Sequence, residues 1–558
     1  MKSDNVKHYL PLDVLRGLFK DIVAAFPNER KNCEKDLERV LRNFEHRGFH
    51  SLILELSMVD TILLEGLKSG SLPHTDGEYL FTKGAKEPVF LQGLWRLVFN
   101  DGKLRVDADP NAIFFIRCVS SFFKKSDIPP KAEKLKEKFD EFKSIECDLR
   151  PFGSDWDTNS NRYNVDTIGI RNYAGSFFQN LDSTVRGNED LLETCQFVAD
   201  YFAELVEGEY IKCTRLGQLA QWSKHGNGAV AEGSRLTDKY DVETANQSIL
   251  DNFESDLFFD RLAKQTSSKV MAVPKDGRGP RLIAAEPTYN MWVQQGLLEF
   301  FKRKVFAKNL LGHFVDLTDQ SLSQEAAKNA SISGREATLD LSSASDRLSC
   351  DLVHKIFRCA PKFRKALFDA RTQTTEICGE TIKLAKFATQ GSATTFPLQC
   401  YIFTIISIAA TMYSTVLTDE DENPVHLPLA DGSVKYVVKR IRGRVRTFGD
   451  DIILPSDAAC YAIRILTLSG LKVNTDKSFT TGPFRESCGG DYFLGNNVTP
   501  VRMRTAYVTN KSVDVQALID FSNNLFLKGL WNASSACLRH AYRIDPRSAS
   551  LPFTMVGL

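Results

Sequence analysis

Over the first 125 or so positions, apolar residues return at steps of three and four. Leu10, Leu15, Leu18, Phe19 and Ile22 form one such run, and Leu52, Ile53, Leu56 and Ile62 another, a spacing that predicts a mainly helical region. Pro129-Pro130 closes it, and the charged stretch Lys131 to Glu146 reads as a solvated amphipathic helix. A polar loop, Pro151 to Asn164, follows. Residues 166–265 return to helical spacing around His225-Gly-Asn-Gly-Ala-Val-Ala-Glu-Gly233. That glycine-rich segment lacks the strand-loop-helix frame of a phosphate-binding loop, so it is read as a connector.

From Lys269 the period shortens. Lys269-Val-Met-Ala-Val273 and Arg281-Leu-Ile-Ala-Ala285 are apolar runs joined by Pro274-Lys-Asp-Gly-Arg-Gly-Pro280, which predicts a hairpin. Ala337 to Leu341 reads as a strand ending in a small-residue turn. Ser345 is then expected to cap a helix with an apolar face of Leu348, Leu352, Val353 and Ile356. Ala388 to Thr418 carries no charge, but Gly391, Pro397, Gln399 and many hydroxyls interrupt it, so a buried helix is expected rather than a membrane span. Val445, Thr447 and Phe448, then Ile452, Ile453 and Leu454, read as two strands around a Gly449-Asp450 turn. The last sixty or so residues are again helix-like.

Composition narrows the class without choosing a function. The 558 residues leave room for about three or four domains. With 43% hydrophobic and 25% charged residues the chain has the balance of a soluble globular protein. Its 71 basic and 70 acidic residues exclude a bulk polycation, so any nucleic-acid binding must come from local basic surfaces. The 12 cysteines include no Cys-x-x-Cys pair, which argues against a zinc site or disulfide framework and for a reducing cytoplasm. No apolar signal segment is expected behind Met1-Lys-Ser-Asp-Asn5.

The chemistry gathers on carboxylates. Asp450 and Asp451 stand side by side at a hairpin tip, where like charges repel and a partly desolvated pair calls for a cation. Hard ions such as Mg²⁺ take carboxylate and phosphate oxygens. A solvated Asp-Asp turn is the plainer alternative for the dipeptide alone. Asp340, at the end of an apolar strand, is harder to explain without a cation. Asp346 is expected in the first helical turn, where an anion is favoured for structural reasons alone. Lys269, Lys275, Arg278 and Arg281 on the first hairpin suit a triphosphate or an RNA backbone, or are simply a charged hairpin. The loop Phe387 to Gln399, with Gly391, Ser392 and Thr395, permits close approach of backbone to a substrate. Arg440, Arg442, Arg444 and Arg446 alternate in twos, which would place them on one face of a strand. That face is either a template-contacting ribbon or a solvated exterior. Lys477 follows shortly after the acidic hairpin.

In this order the motifs resemble the RNA-dependent RNA polymerases, and more narrowly the replicase catalytic subunits of small RNA phages, the leviviruses. Thr447-Phe-Gly-Asp-Asp451 and the Leu-Asp-Leu-Ser-Ser-Ala-Ser-Asp frame around Asp340 carry most of the likeness. Val273-Pro-Lys275 with Arg281 and Glu286-Pro287, Asp319-Gln-Ser321, and Gly482-Pro-Phe-Arg-Glu-Ser-Cys-Gly489 complete it, over roughly residues 265–500. Phe448 stands where the family more often has Tyr, and Ser392-Ala393 where it usually has Asn-Gly.

The resemblance implies an α+β right-hand polymerase fold, with an antiparallel palm sheet, mostly helical fingers and a small thumb. Fingers would span 1–334, with the hairpin 269–287 admitting nucleotides; the palm would span 335–481, and 482–558 would hold the palm end and thumb. It implies two Mg²⁺ ions, or Mn²⁺ in their place, on Asp340, Asp450 and Asp451. Lys477 would be a general acid. Lys275, Arg278, Arg281, Asp346, Gly391, Ser392 and Thr395 would receive the nucleotide, and the arginines at 440–446 the RNA. The implied partners are template RNA, nucleoside triphosphates, host elongation factors Tu and Ts and a ribosomal protein, with no membrane, in the cytoplasm of an infected bacterium. A narna-like capsidless virus polymerase, a reverse transcriptase and an inactive polymerase-like RNA-binding protein are the alternatives.

Overall fold

The computed structural model describes residues 10–73, 86–126, 132–149, 189–226, 228–232, 267–276, 279–418, 424–504 and 512–546. Helix and sheet are mixed, and two large apolar cores organise them. The first forms around the helical periodicity of the N-terminal region, in helices Leu10–Ala25, Arg30–Ser69, Gln92–Val98 and Pro110–Ser120. The C-terminal pair, Ser512–Leu527 and Trp531–Ile544, belongs to this same core. The Asp21 carboxylate accepts the N–H groups of Asn532 at 2.8 Å and Ala533 at 3.0 Å, which satisfies the otherwise unpaired start of the last helix. Gly17 permits the approach, since a Cβ there would lie 2.6 Å from Ala533 Cα.

The second core surrounds the uncharged helix, Thr395–Ser414. Among the described residues it is the one helix long and apolar enough to cross a membrane. Yet 94% of its apolar window is buried, as expected of a helix that is apolar on every face inside a large core. Helices Glu189–Arg215, Pro361–Ala370 and Ala459–Leu468 contribute buried faces to the same core.

Against this helix lies a three-stranded antiparallel sheet in the order Arg446–Phe448, Asp451–Pro455, Glu336–Leu339. A second sheet carries the predicted hairpin, Ser268–Asp276 with Gly279–Ala285. The first of these strands also pairs in parallel with Thr374–Ile377, which continues antiparallel to Glu380–Lys383. A third hairpin, Phe484–Ser487 with Gly490–Phe493, abuts the N-terminal core. Arg117 joins the two: fully buried, its guanidinium lies 2.8 Å from Asp491 and 3.2 Å from Asp60, over the ring of Phe484.

Two expectations need correction. Arg440–Arg446 is not one strand. Asp431–Arg440 is a helix, residues 441–444 are a turn, and only Arg446 enters a strand. Val434, Val437 and Ile441 are buried at helical spacing, and that apolar stripe overrides the two-residue alternation of the arginines. Second, Ser345 is not the residue that caps the helix. Ser349 accepts the Leu352 N–H at 3.1 Å and starts the helix Cys350–Ile356, leaving Asp346 in the turn before it. The charged stretch forms the amphipathic helix expected of it, Ala132–Leu149, with Phe142, Ile145, Glu146 and Leu149 on its buried side. The polar loop 151–164, residues 166–188 and 233–265, the Lys275 side chain and Arg278 lie outside the described residues.

Candidate active site

The acidic hairpin forms as its sequence dictates. Phe448 pairs with Asp451, leaving Gly449-Asp450 as a two-residue turn. Gly449 has φ 63° and Asp450 is not in the positive-φ region, which fits a turn needing glycine at its first central position. Space demands glycine as well, since a Cβ would stand 2.9 Å from the Phe396 ring. The turn is held from below: the Gly449 N–H donates to Cys400 Sγ at 3.1 Å, and the Thr404 and Thr447 hydroxyls bond at 2.6 Å. Phe448 meets Phe396 edge-on, ring centroids 4.8 Å apart, so its ring is used for packing. Asp450 is exposed and Asp451 half-buried.

Register brings Asp340 to the same place. Ile452 pairs with Leu339 at the end of the ladder, so Asp451 and Asp340 are the next residues on the two chains, near enough for Asp340 to raise the Asp451 pKa. Asp340 is fixed by the segment beyond the hairpin. Its backbone N–H donates to Ser478 Oγ at 3.1 Å, and its Oδ2 accepts from Asn474 Nδ2 at 2.7 Å. Lys477 Nζ lies 3.7 Å from that oxygen. Burial alone would lower the Lys477 ammonium, but Glu486, Asp340, Asp451 and Asp450 outweigh it and raise its pKa.

Two acidic groups were not singled out from sequence. Glu486 stands on the hairpin Phe484–Ser487 opposite Asp491, and burial, then Asp491, raises its pKa. Glu146, on the helix Ala132–Leu149, is buried against Lys386. A lone acid between buried strand residues, and a lone lysine in Leu384-Ala-Lys-Phe-Ala388, were the available signals.

The fit to a cation follows from Asp451. Burial, then Asp450, Asp340 and Glu486, push its carboxyl up to about 7, while the Cys488 N–H pulls the other way. A half-buried acid facing other acids is what a divalent cation relieves. Among the described residues no three His, Cys, Asp or Glu side chains stand as a ready-made cage. An ion here would complete its shell with water and phosphate oxygens, the ordinary habit of Mg²⁺. One expectation follows for the ion-free protein. Asp451 has a raised folded-state pKa, so its protonated form contributes stability at low pH that is lost as pH rises through about 7. In EDTA, the denaturation midpoint of wild type should fall across that window, and Asp451→Asn should flatten the fall. Mg²⁺ should restore wild type above pH 7 and not the variant. Parallel pH curves would contradict this.

The remaining predicted residues separate into two groups. Asp346 is paired with Lys386, 2.8 Å away. Ser392 and Thr395 are buried in their own loop: Ser392 Oγ bonds Thr394 Oγ at 2.9 Å, and Thr395 Oγ donates to the Thr389 carbonyl at 2.8 Å. Gly391, at φ 136°, lies so close to the Ala284 carbonyl that a Cβ would come within 1.9 Å of its oxygen. The loop is thereby strapped to the hairpin that carries Arg281, itself exposed. Of the arginine run, Arg440 and Arg442 are exposed, Arg444 is 2.7 Å from Glu336, and Arg446 is half-buried, its pKa lowered by burial against the pull of Asp316 and Asp319.

The sequence profile of the family described as RNA replicase, beta-chain, matches residues 239–420 and 428–526, just over half the chain. An RNA-directed RNA polymerase subunit beta of Qbeta virus (strain MX1) is 32% identical over 270 residues, 48% of this chain and 40% of that protein. The RNA-directed RNA polymerase beta chain of Escherichia phage MS2 is 34% identical over 231 residues, 41% of this chain and 36% of its own. The matches thus span well under half the length of these relatives. Among solved structures, an in situ BmCPV RNA-dependent RNA polymerase at elongation state aligns over 64% of this chain and 35% of its own, with 12% identity and a TM-score of 0.39.

Proposed function

The chain belongs to the RNA replicase, beta-chain, family, and on that premise we propose that it is an RNA-dependent RNA polymerase copying a single-stranded RNA phage genome. The observation that carries this reading is the pairing of Ile452 with Leu339, which brings Asp451 and Asp340 to the same end of the sheet, with Asp450 at the adjoining tip and Lys477 beside Asp340. Asp340, Asp450 and Asp451 would hold two Mg²⁺ ions, which when bound supply activation of a 3′-hydroxyl and stabilisation of pyrophosphate. Lys477 holds its proton, because four carboxylates raise its pKa, and delivers it to the leaving pyrophosphate. Arg281, with Lys275 and Arg278 of the same hairpin, neutralises the incoming triphosphate. Asp346 accepts the ribose 2′-hydroxyl, with Gly391, Ser392 and Thr395 shaping the wall beside it.

In a right-hand division, the three-stranded sheet is the palm within 335–481, the residues before it are fingers, and 482–558 holds the palm end and thumb. The subunit names of the relatives suggest partner subunits here as well. The family likeness points to elongation factors Tu and Ts and a ribosomal protein in the infected bacterium. Template extension by the purified chain with its co-purifying host proteins, using rNTPs and dNTPs separately, tests the reading. Ribonucleotide synthesis is expected; a preference for dNTPs makes it a reverse transcriptase, and no synthesis with either makes it a binding protein.

The exposed pair Arg440 and Arg442 is the part of the basic run left for template phosphates. Replacing both with Ala should weaken RNA binding and reduce the log–log salt slope by about two. An unchanged slope would return them to plain solvent exposure.

A further inference from the structure

Lys386 is fully buried, and no step of the proposed reaction uses it. Its Nζ lies 2.8 Å from Asp346 Oδ1, 3.2 Å from Glu146 Oε1 and 3.4 Å from the centre of the Phe142 ring. The backbone around it is equally fixed. Arg371 donates to the Lys386 carbonyl at 3.1 Å, and the Ala385 N–H donates to the other Glu146 oxygen at 2.6 Å. A buried cation with two carboxylates adds little net stability over apolar side chains of the same volume. Such a cluster does fix direction. Three parts of the chain meet at this ammonium: the turn 343–347, the segment leading into the loop 387–395, and the helix Ala132–Leu149. Asp346 alone of the two acids reaches the surface, its side chain 22% exposed against 1% for Glu146. Among the described residues its Oδ2 takes no protein hydrogen bond.

We propose that Lys386 is a positioning residue for sugar selection. Its ammonium anchors Asp346 Oδ1 and so presents Oδ2 to the ribose 2′-hydroxyl, while Glu146 and Phe142 hold the ammonium in place. This rests on the reading of Asp346 as the sugar-sensing acid. It extends the site to a helix more than two hundred residues away in sequence.

The test compares kcat/KM for one rNTP and its dNTP on a single RNA template. Lys386→Met alone would leave two carboxylates without their cation, so the informative variant pairs it with Glu146→Gln. The ribose-to-deoxyribose ratio is expected to fall about ten-fold, mainly through the rNTP KM, because a misdirected acceptor loses its hydrogen bond. Template affinity should not change, and adding Asp346→Asn should give no further fall. Glu146→Gln alone, which keeps the Lys386–Asp346 pair, should give a smaller fall. If Asp346→Asn lowers the ratio and the Lys386 variants do not, the positioning role is overturned and the reading of Asp346 stands. If both nucleotides slow equally, Lys386 is only structural. If Asp346→Asn itself leaves the ratio untouched, the sugar-sensing reading fails, and this proposal with it.

Discussion

Asp450→Asn is expected to leave the protein folded and to cut nucleotide incorporation by about three orders of magnitude or more. Folding should survive because Asp450 is exposed at the tip of a two-residue turn. Asn is an ordinary turn residue, and the positive φ belongs to Gly449. Activity should not survive, because the amide keeps the shape of the ligand and loses its charge. In the proposed reaction, Mg²⁺ binding at this tip, and through the ion the neutralisation of a leaving pyrophosphate, depend on that charge. The measurement is single-nucleotide incorporation at saturating Mg²⁺, with the denaturation midpoint as control for folding. Turnover near wild type in a folded variant would remove Asp450 from the reaction.

The second large effect is structural. Arg117→Met should lower stability by about 3–5 kcal/mol, since it leaves two buried carboxylates without their main partner. Arg117, Asp60 and Asp491 are each 1% exposed. Lys124 at 3.3 Å from Asp60 and Arg502 at 3.9 Å from Asp491 remain as weaker compensation. Burial works to raise the Asp60 pKa, but Arg117, Lys124 and Arg502 hold it below the ordinary carboxylate range. Its contribution is therefore present above the unfolded-state pKa and lost as pH falls below it. Urea titration at neutral pH measures the loss, and a change under about 1 kcal/mol would be that of a solvated surface pair. Incorporation should fall too, because Glu486 and the Cys488 N–H that touches Asp451 sit on the hairpin Arg117 anchors.

The parts of the site that lie close in sequence were legible without coordinates. Gly449-Asp450 between Val445-Arg-Thr-Phe448 and the apolar run Ile452-Ile-Leu454 fixes a hairpin locally, and Asp340 at the end of a short apolar run follows from strand length and the turn after it. The uncharged stretch before the hairpin could be read as a buried helix because its polar residues are neutral and interspersed. The errors came where two periodicities compete. Arginines two apart suggested a strand, while Val434, Val437 and Ile441 three and four apart formed the helix that burial favours. Ser345 and Ser349 are equally good caps in isolation, and the bridge from Ser349 to Lys386 settles which one starts the helix. What could not be read were contacts between distant elements. Nothing in Phe142 or Glu146 indicates that they close around a lysine from another part of the chain. Nor does Arg117 disclose that its second carboxylate lies beyond the acidic hairpin.

The sharing of one core by Leu10–Ala25 and Trp531–Ile544 has a consequence for how the protein comes into being. Leu10–Ala25 buries its apolar face against Trp531–Ile544, and the Asp21 cap reaches Asn532, 511 residues away in sequence. During synthesis, Val14, Leu15, Leu18 and Phe19 must therefore wait until residues 531–544, about five hundred positions on, have emerged before their final neighbours exist. At about 5–20 residues per second that delay is on the order of half a minute to two minutes. For that time the nascent chain exposes the apolar face of Leu10–Ala25, a surface on which a chaperone can act. A truncation that removes the last helix should be felt first at residues 10–25, far away in sequence, as premature proteolysis or aggregation of the amino-terminal helices.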